Sequence, residues 1–356
     1  MKIGIVTYHR TNNYGAVMQS LATRFVLEGM GHEVFYVDYW PDYHKEKYKI
    51  FPKEKFRKYS IQQKMNFLLS LVLHYKSKKK RTDNFEKFFH AHVYPHCRPI
   101  DDIFDIVIYG SDQIWRKQKE IGEYNPFYFG ENNIKTHHHV SYAASMGILP
   151  NSDADKANIK ELVSHLDRIS VREEGLRQLL LSLGFKNVSL SLDPTLLLSS
   201  EQWDKHLPTE PYKGEKYALT YIMGGNAFDL KEVKKFTDSK GLKLIVLRGY
   251  ATTKETETNI TSAGPSEFIR LIKNAEYVFS ASFHGLAFSI VYGKQFFTSF
   301  MSNSGRAESL LNQLGIKGRL LPPKSPIPQD ETPIDYNAVR SKLETYRKEA
   351  FNFLTF

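Results

Sequence analysis

One histidine of this chain stands in a turn of small residues, Ser280-Ala281-Ser282-Phe283-His284-Gly285. Before the turn, Glu276-Tyr277-Val278-Phe279 reads as a buried strand; after it, residues 286–292 read as an apolar helix. A helix that starts in such a turn offers free backbone N–H groups, here at Gly285 and Leu286, and a partial positive charge. Both suit a phosphate or a carboxylate. An imidazole at the junction can bind an anion or move a proton. The same spacing also fits a histidine that caps the helix and does nothing more.

Other residues with chemistry stand at similar places. Asn13 and Gly15 belong to a polar loop after the first strand pattern, and Asp112 and Gln113 belong to Gly110-Ser111-Asp112-Gln113-Ile114-Trp115 after a later one. Arg172 ends the strand pattern that begins at Arg168, and Arg306 opens a helix pattern just past the strand at 295–300. Ligands of open α/β sheets sit at such carboxyl ends of strands.

The elements that must hold these residues alternate strand and helix. Residues 3–6, 33–38, 104–109, 140–144, 168–172 and 188–192 read as strands, and residues 15–27 carry a helical apolar period at Val17, Met18, Leu21, Ala22 and Phe25. Residues 199–216, with Pro208 and Pro211, read as a linker. A second α/β series runs from residue 217, and residues 336–353 read as a terminal helix. This predicts an α/β fold of two domains, at 1–198 and 217–330, with a C-terminal helix in 331–356 and a cleft between the domains. The first loop lacks the Gly-x-Gly-x-x-Gly fingerprint, which argues against a dinucleotide site.

Composition sets the outer bounds. The 356 residues are 41% hydrophobic and 25% charged, ordinary values for a globular protein, and are long for a single core. Cys97 is the only cysteine, which excludes an intramolecular disulfide and a multi-cysteine zinc site. His137-His138-His139 is a run of imidazoles, but consecutive strand residues point to opposite faces and rarely chelate one ion, so no metal is expected. Asp101-Asp102 reads as a solvated turn. The net charge of +10 favours acidic partners, and with no nucleic-acid-binding signature it points to phosphorylated ligands or an anionic membrane surface. Residues 1–6 run straight into a strand pattern unlike a signal peptide, and no apolar stretch is long enough to span a bilayer. A cytoplasmic protein is expected, with peripheral contact at the inner membrane surface as the second expectation.

Residues 42–90 break the rhythm. They form a basic helical insertion around the apolar stretch 65–75, followed by Lys76, Lys78, Lys79, Lys80 and Arg81. A basic, apolar helix can lie on an anionic membrane. A helix packed on its own domain is the commoner arrangement and the one expected.

Taken in order, several strand-end segments resemble the polysaccharide pyruvyl transferase family. They are Asn12-Asn13-Tyr14-Gly15-Ala16, Gly110 to Trp115 as quoted above, Ser170-Val171-Arg172-Glu173, Asp193-Pro194-Thr195 and Ser282-Phe283-His284-Gly285. The resemblance runs from residue 3 to about 315 and leaves out the 42–90 segment. It implies a glycosyltransferase-B-like architecture, two Rossmann-like domains facing across a cleft. It also implies transfer of a pyruvyl group from phosphoenolpyruvate to a sugar of a surface-polysaccharide precursor, as a ketal on two hydroxyls. By the same resemblance, Arg172 and His284 contact phosphoenolpyruvate. The alternatives are a nucleotide-sugar glycosyltransferase of the same architecture and a non-catalytic glycan-binding relative.

There is one departure. Many family members carry an arginine two residues before the histidine, where this chain has Ser282. A guanidinium grips a carboxylate or phosphate with two charge-assisted bonds, whereas serine offers one neutral bond. Arg306, Lys273 and Lys294 are the substitute cations nearby in sequence, and Arg306 is the one expected to fill the role, or else it is an ordinary surface arginine. The reaction needs an acid, a base and cations around the donor, and no metal or other cofactor. His284 is the expected acid, and Gly285 with the helix N-terminus adds to the donor grip. Asp112 is the expected base for the acceptor hydroxyl, or else an Asp that only caps its loop. Asn13, Gly15 and Gln113 are expected on the acceptor side, with ordinary turn chemistry as the other reading of Asn13 and Gly15.

Overall fold

The computed structural model describes residues 1–225, 227–302 and 304–356. Two five-stranded parallel sheets form its frame. The first contains β1 (Lys2–Val6), β2 (Glu33–Val37), β3 (Cys97–Arg98), β4 (Ile103–Tyr109) and β5 (Lys135–Ser141), in the order β3-β2-β1-β4-β5. Ile3 of β1 pairs with Val34 on one side and Ile106 on the other. Its near-continuous apolar run is what a sheet covered on both faces requires. Bridges at Val140–Arg168 and Ala144–Val171 carry this sheet on to β6 (Ile169–Val171) and β7 (Val188–Leu190).

Four helices follow within the first half: α1 (Tyr14–Gly29), α2 (Asp42–Tyr48), α3 (Lys53–Arg57) and α4 (Ile61–His92). Two more, α5 (Asp153–Val163) and α6 (Glu174–Ser182), flank β6. The stretch read as a linker carries a short helix, α7 (Ser200–His206). Ser199 and Gln202 form its capping box, and Trp203 is fully buried.

The second sheet contains β8 (Tyr217–Ile222), β9 (Lys243–Arg248), β10 (Asn259–Ile260), β11 (Tyr277–Ser280) and β12 (Gln295–Thr298), in the order β10-β9-β8-β11-β12. Its helices are α8 (Leu230–Ser239), α9 (Pro265–Lys273), α10 (Phe283–Val291) and α11 (Gly305–Leu314). The last helix, α12 (Tyr336–Leu354), returns to the first half: Arg347 donates to the carbonyls of Leu196 and Leu198, and Arg168 donates to that of Phe353. The fold is therefore α/β with two Rossmann-like halves, as expected from the sequence. In each sheet the strand order reverses once, between β1 and β4 and between β8 and β11. Such reversals open the crevice where ligands of these sheets bind.

One apolar core joins the halves through α1. Tyr14, Val17, Met18 and Leu21 are fully buried, and so are Phe268 and Leu286 of the facing helices. Tyr14 stacks on Phe268 with centroids 4.7 Å apart, and its hydroxyl donates to the Ala263 carbonyl at 2.8 Å. A stacked pair of this kind adds roughly 0.5–1.5 kcal/mol beyond its area burial. The helix is buried almost all round, with Gln19, Ser20 and Thr23 among its buried residues, because it lies between two cores rather than on one.

The expectation of a packed insertion holds for part of α4 only. Arg81, Phe85, Phe88 and Phe89 are its buried residues. Before Arg81, one side meets the aromatic group Phe51, Phe56 and Tyr59 through Phe67, and the apolar residues on the other side are exposed.

Candidate active site

A cavity of about 260 Å³ lies where the two strand-order reversals face each other. The loop after β1 lines it with Tyr8, Thr11 and Asn13, and the loop after β4 with Asp112 and Gln113. From the second half come Met223 after β8, and Ala281, Ser282, Phe283 and His284 at the junction of β11 and α10. Arg306, in the first turn of α11, completes this side.

The first-half loops are held by a side chain that the sequence reading passed over. Gln19 of α1 donates to the Thr7 hydroxyl at 2.9 Å and accepts the Ser111 N–H at 3.0 Å, so one amide fixes both strand ends. Asp112 then takes a left-handed backbone, φ 67°. This is uncommon outside glycine, although Asp is among the residues that tolerate it. Its carbonyl accepts the Ser145 N–H at 3.0 Å, and its carboxylate accepts the Gln113 N–H at 2.8 Å. Asp112 therefore does serve its own loop, and it also faces two guanidiniums, with Arg172 at 3.6 Å and Arg306 at 3.7 Å.

Behind the cavity wall lies a buried ionic cluster centred on Asp193. One carboxylate oxygen accepts from Arg172 and lies 3.4 Å from His284 Nε2. The other accepts the Thr195 N–H at 3.0 Å and the Thr195 hydroxyl at 2.6 Å. Burial opposes the charge on Asp193, but the Arg172 guanidinium, His284 and Thr195 outweigh it and hold the carboxyl well below its usual range. Arg172 and Arg306 both lie over the Phe283 ring, at 4.9 and 5.4 Å from its centroid. Burial, followed by the like charge of Arg172, pushes Arg306 down to about 10, which leaves it cationic at neutral pH. Among the described residues Arg306 Nε and Arg172 Nη2 have no hydrogen-bond partner. An unpaired guanidinium donor on a residue that lines the cavity, as on Arg306, suits an incoming anion.

The halves touch at the histidine itself. A β-carbon at Gly15 would overlap the His284 ring, so the start of α1 must be glycine for the imidazole to stand where it does. Gly15 thus positions His284 and is absent from the cavity lining, where an acceptor contact was expected. Gly285 is also away from the lining: it is buried against Ser280 and Tyr221 and allows α10 to start close to β8 and β11. Asn13 lines the cavity and also caps α1, accepting the N–H groups of Gly15 and Ala16 at 3.0 and 3.4 Å. Ser282 is the N-cap residue of α10 but makes no side-chain capping bond, and it lines the cavity. Arg172, for which the resemblance implies donor contact, is tied to Asp193 beneath the surface. Of the three substitute cations, Arg306 lines the cavity, while Lys273 pairs with Asp204 and lies outside it, as does Lys294.

The insertion contributes a wall that sequence reasoning left out. His44, Lys47 and Tyr48 of α2 line the cavity, as does Arg116. Burial and then Lys47 push His44 down to about 4, so it is neutral at pH 7. The richness in lysine was the only sequence signal here, and it did not separate α2 from the rest of the basic segment.

Comparison with known proteins adds the following. The family model described as polysaccharide pyruvyl transferase matches residues 13–303. A search of curated proteins finds no match. Similar solved structures include the UDP-GlcNAc 2-epimerase of Methanocaldococcus jannaschii in complex with UDP-GlcNAc and UDP, at 11% identity and a TM-score of 0.45, covering 98% of this chain and 93% of its own. The glycosyltransferase SnogD from Streptomyces nogalater is 12% identical, covers 99% of this chain and 96% of its own, and has a TM-score of 0.41. The E. coli heptosyltransferase WaaC with ADP is 11% identical, covers 97% and 100%, and has a TM-score of 0.39. No residue role follows from likeness this distant.

Proposed function

This chain belongs to the polysaccharide pyruvyl transferase family, and from that premise we propose that it moves a pyruvyl group from phosphoenolpyruvate to a sugar of a surface-polysaccharide precursor, closing a ketal on two hydroxyls. The observation that best supports this reading is the convergence of Arg306, His284 and the first turn of α10 on one cavity with a facing carboxylate, Asp112.

Phosphoenolpyruvate becomes electrophilic at its central carbon when its methylene carbon takes a proton. In the proposed reaction, protonated His284 donates that proton, and the alkene pair becomes the new C–H bond. Proton donation by a positioned side chain typically accounts for 10²–10⁴-fold of a rate. A sugar hydroxyl then adds to the cationic carbon and gives its proton to Asp112. The phosphate leaves with the C–O bonding pair, and a second hydroxyl takes its place to close the ring, its proton passing to the departing phosphate. Arg306 and the N–H groups at the start of α10 hold the donor's carboxylate or phosphate. Arg172 acts one layer back, fixing Asp193 and the Phe283 ring. The cavity needs no metal or other cofactor for these steps.

The test is turnover. Purified full-length protein with phosphoenolpyruvate and a panel of free and lipid-linked sugars should release phosphate and add a pyruvate ketal to one acceptor, and His284→Gln should do neither. Tight binding of a nucleoside diphosphate with none of phosphoenolpyruvate would replace this reading with a nucleotide-sugar glycosyltransferase. Acceptor binding without turnover, unchanged in His284→Ala and Arg172→Ala, would replace it with a glycan-binding role.

A further inference from the structure

We propose that the first half of α4 is a membrane-docking surface that lies flat on an anionic bilayer. Ile61, Met65, Leu68, Leu69, Val72 and Leu73 recur at helical spacing and form one face of α4. All six are exposed, Ile61 at 80% and Val72 at 78%. An isolated exposed Leu is ordinary, but a continuous apolar strip about 18 Å long marks an interaction site. Lys76, Lys79 and Lys80 continue the same face beyond the strip and are themselves exposed.

The charge pattern decides what covers the strip. Residues 55–82 hold seven lysines, two arginines and no Asp or Glu. A second copy laid against this face would bring lysines without the carboxylates needed to pair them. Acids at the margins of this segment are already paired, Glu54 with Arg57, Asp83 with Lys79 and Glu255 with Lys80. An anionic leaflet offers both things the face lacks, apolar depth for the strip and negative charge for the lysines. Among the described residues no helix is long and apolar enough to cross a membrane, so the helix lies in the interface plane.

The opposite face of α4 is not available for docking. Gln63, Phe67, Ser70 and Arg81 face a groove of about 720 Å³ that shares Lys47 and Tyr48 with the active-site cavity. Docking through the strip therefore leaves the groove and the cavity open. The proposal does not depend on which reaction the cavity carries out.

The test is co-sedimentation of the full-length protein with vesicles. Vesicles of phosphatidylcholine with about a third phosphatidylglycerol should bind it, pure phosphatidylcholine should bind it far less, and added salt should release it. Leu69→Glu with Val72→Glu should abolish binding. Because both side chains are exposed, the thermal midpoint should stay unchanged, which separates lost docking from lost folding. Lys76→Ala, Lys79→Ala and Lys80→Ala together should weaken binding on the order of tenfold to a hundredfold. Equal binding of the parent and the Leu69→Glu, Val72→Glu variant would overturn the proposal. So would a dimer in solution that this variant dissociates, with no vesicle binding by the parent, since that would assign the strip to a second copy.

Discussion

The two walls of the cavity hold their charges in different ways. In the first half, Arg172 sits below the surface and is neutralised by Asp193, a carboxylate that also approaches His284. In the second half, Arg306 reaches the cavity, and among the described residues its one ion-pair partner is Asp112, at 3.7 Å. Both guanidiniums lie over the same Phe283 ring. Two cations over one ring are thus placed differently, one held beneath the cavity by a carboxylate and the other lining it, and the proposed function gives them separate duties.

The largest effect expected from breaking this contrast is at Asp193. Asp193→Asn removes the nearer counter-charge of the buried Arg172, leaving it only Asp112 at 3.6 Å, and should cost about 3–5 kcal/mol of stability, read by urea unfolding. Acid titration adds a second reading. A carboxyl held low contributes stability that is complete above its unfolded value, about 3.9, and is lost as pH falls through its folded value. The parent should therefore keep this share of its stability down to about pH 4 and lose it below, and in Asp193→Asn that acid-dependent loss should shrink.

The next effect is on chemistry. His284→Gln should lower turnover by on the order of 10²–10⁴-fold while leaving the fold intact. Arg306→Ala should weaken phosphoenolpyruvate binding by roughly 10- to 150-fold, the worth of a charge-assisted bond, with little change in unfolding midpoint. If Arg306→Ala instead destabilised the protein as much as Asp193→Asn, the proposed division between the two arginines would fail. Gly15→Ala should cost about 1–3 kcal/mol by overpacking against the imidazole, and it should slow turnover more than it changes donor binding. The smallest effect is expected from Ser282→Arg in the parent. Its value is in combination, since it should restore much of the binding lost in Arg306→Ala if Arg306 stands in for the arginine this chain lacks.

Much of the frame was legible in the sequence because strand and helix periods are local. Ile3 to Val6, the helical run from Val17 to Phe25 and the small-residue turn at Ser280–Gly285 each declare themselves within a few residues. The capping pair Ser199 and Gln202 was also local and marked a helix inside the stretch read as a linker. What was not legible depends on residues far apart in the chain. Nothing in the spacing of Asp193 and His284 places them 3.4 Å apart, and Gly15 reads as turn chemistry until the His284 ring is seen against it. Periodicity also finds an apolar face without saying what covers it, and for that reason the exposed strip of α4 read as packing.

The central claim is that Arg306, His284 and the start of α10 form one anion site for phosphoenolpyruvate. It is tested most directly by determining the structure of the full-length protein with phosphoenolpyruvate bound, alongside a binding titration of the parent and Arg306→Ala. The account predicts a single phosphoenolpyruvate in the cavity, with an anionic group in hydrogen-bond reach of Arg306 and its methylene carbon facing the His284 imidazole, and weaker binding in the variant. A phosphoenolpyruvate bound away from these residues, or none bound at saturating concentration, would contradict it.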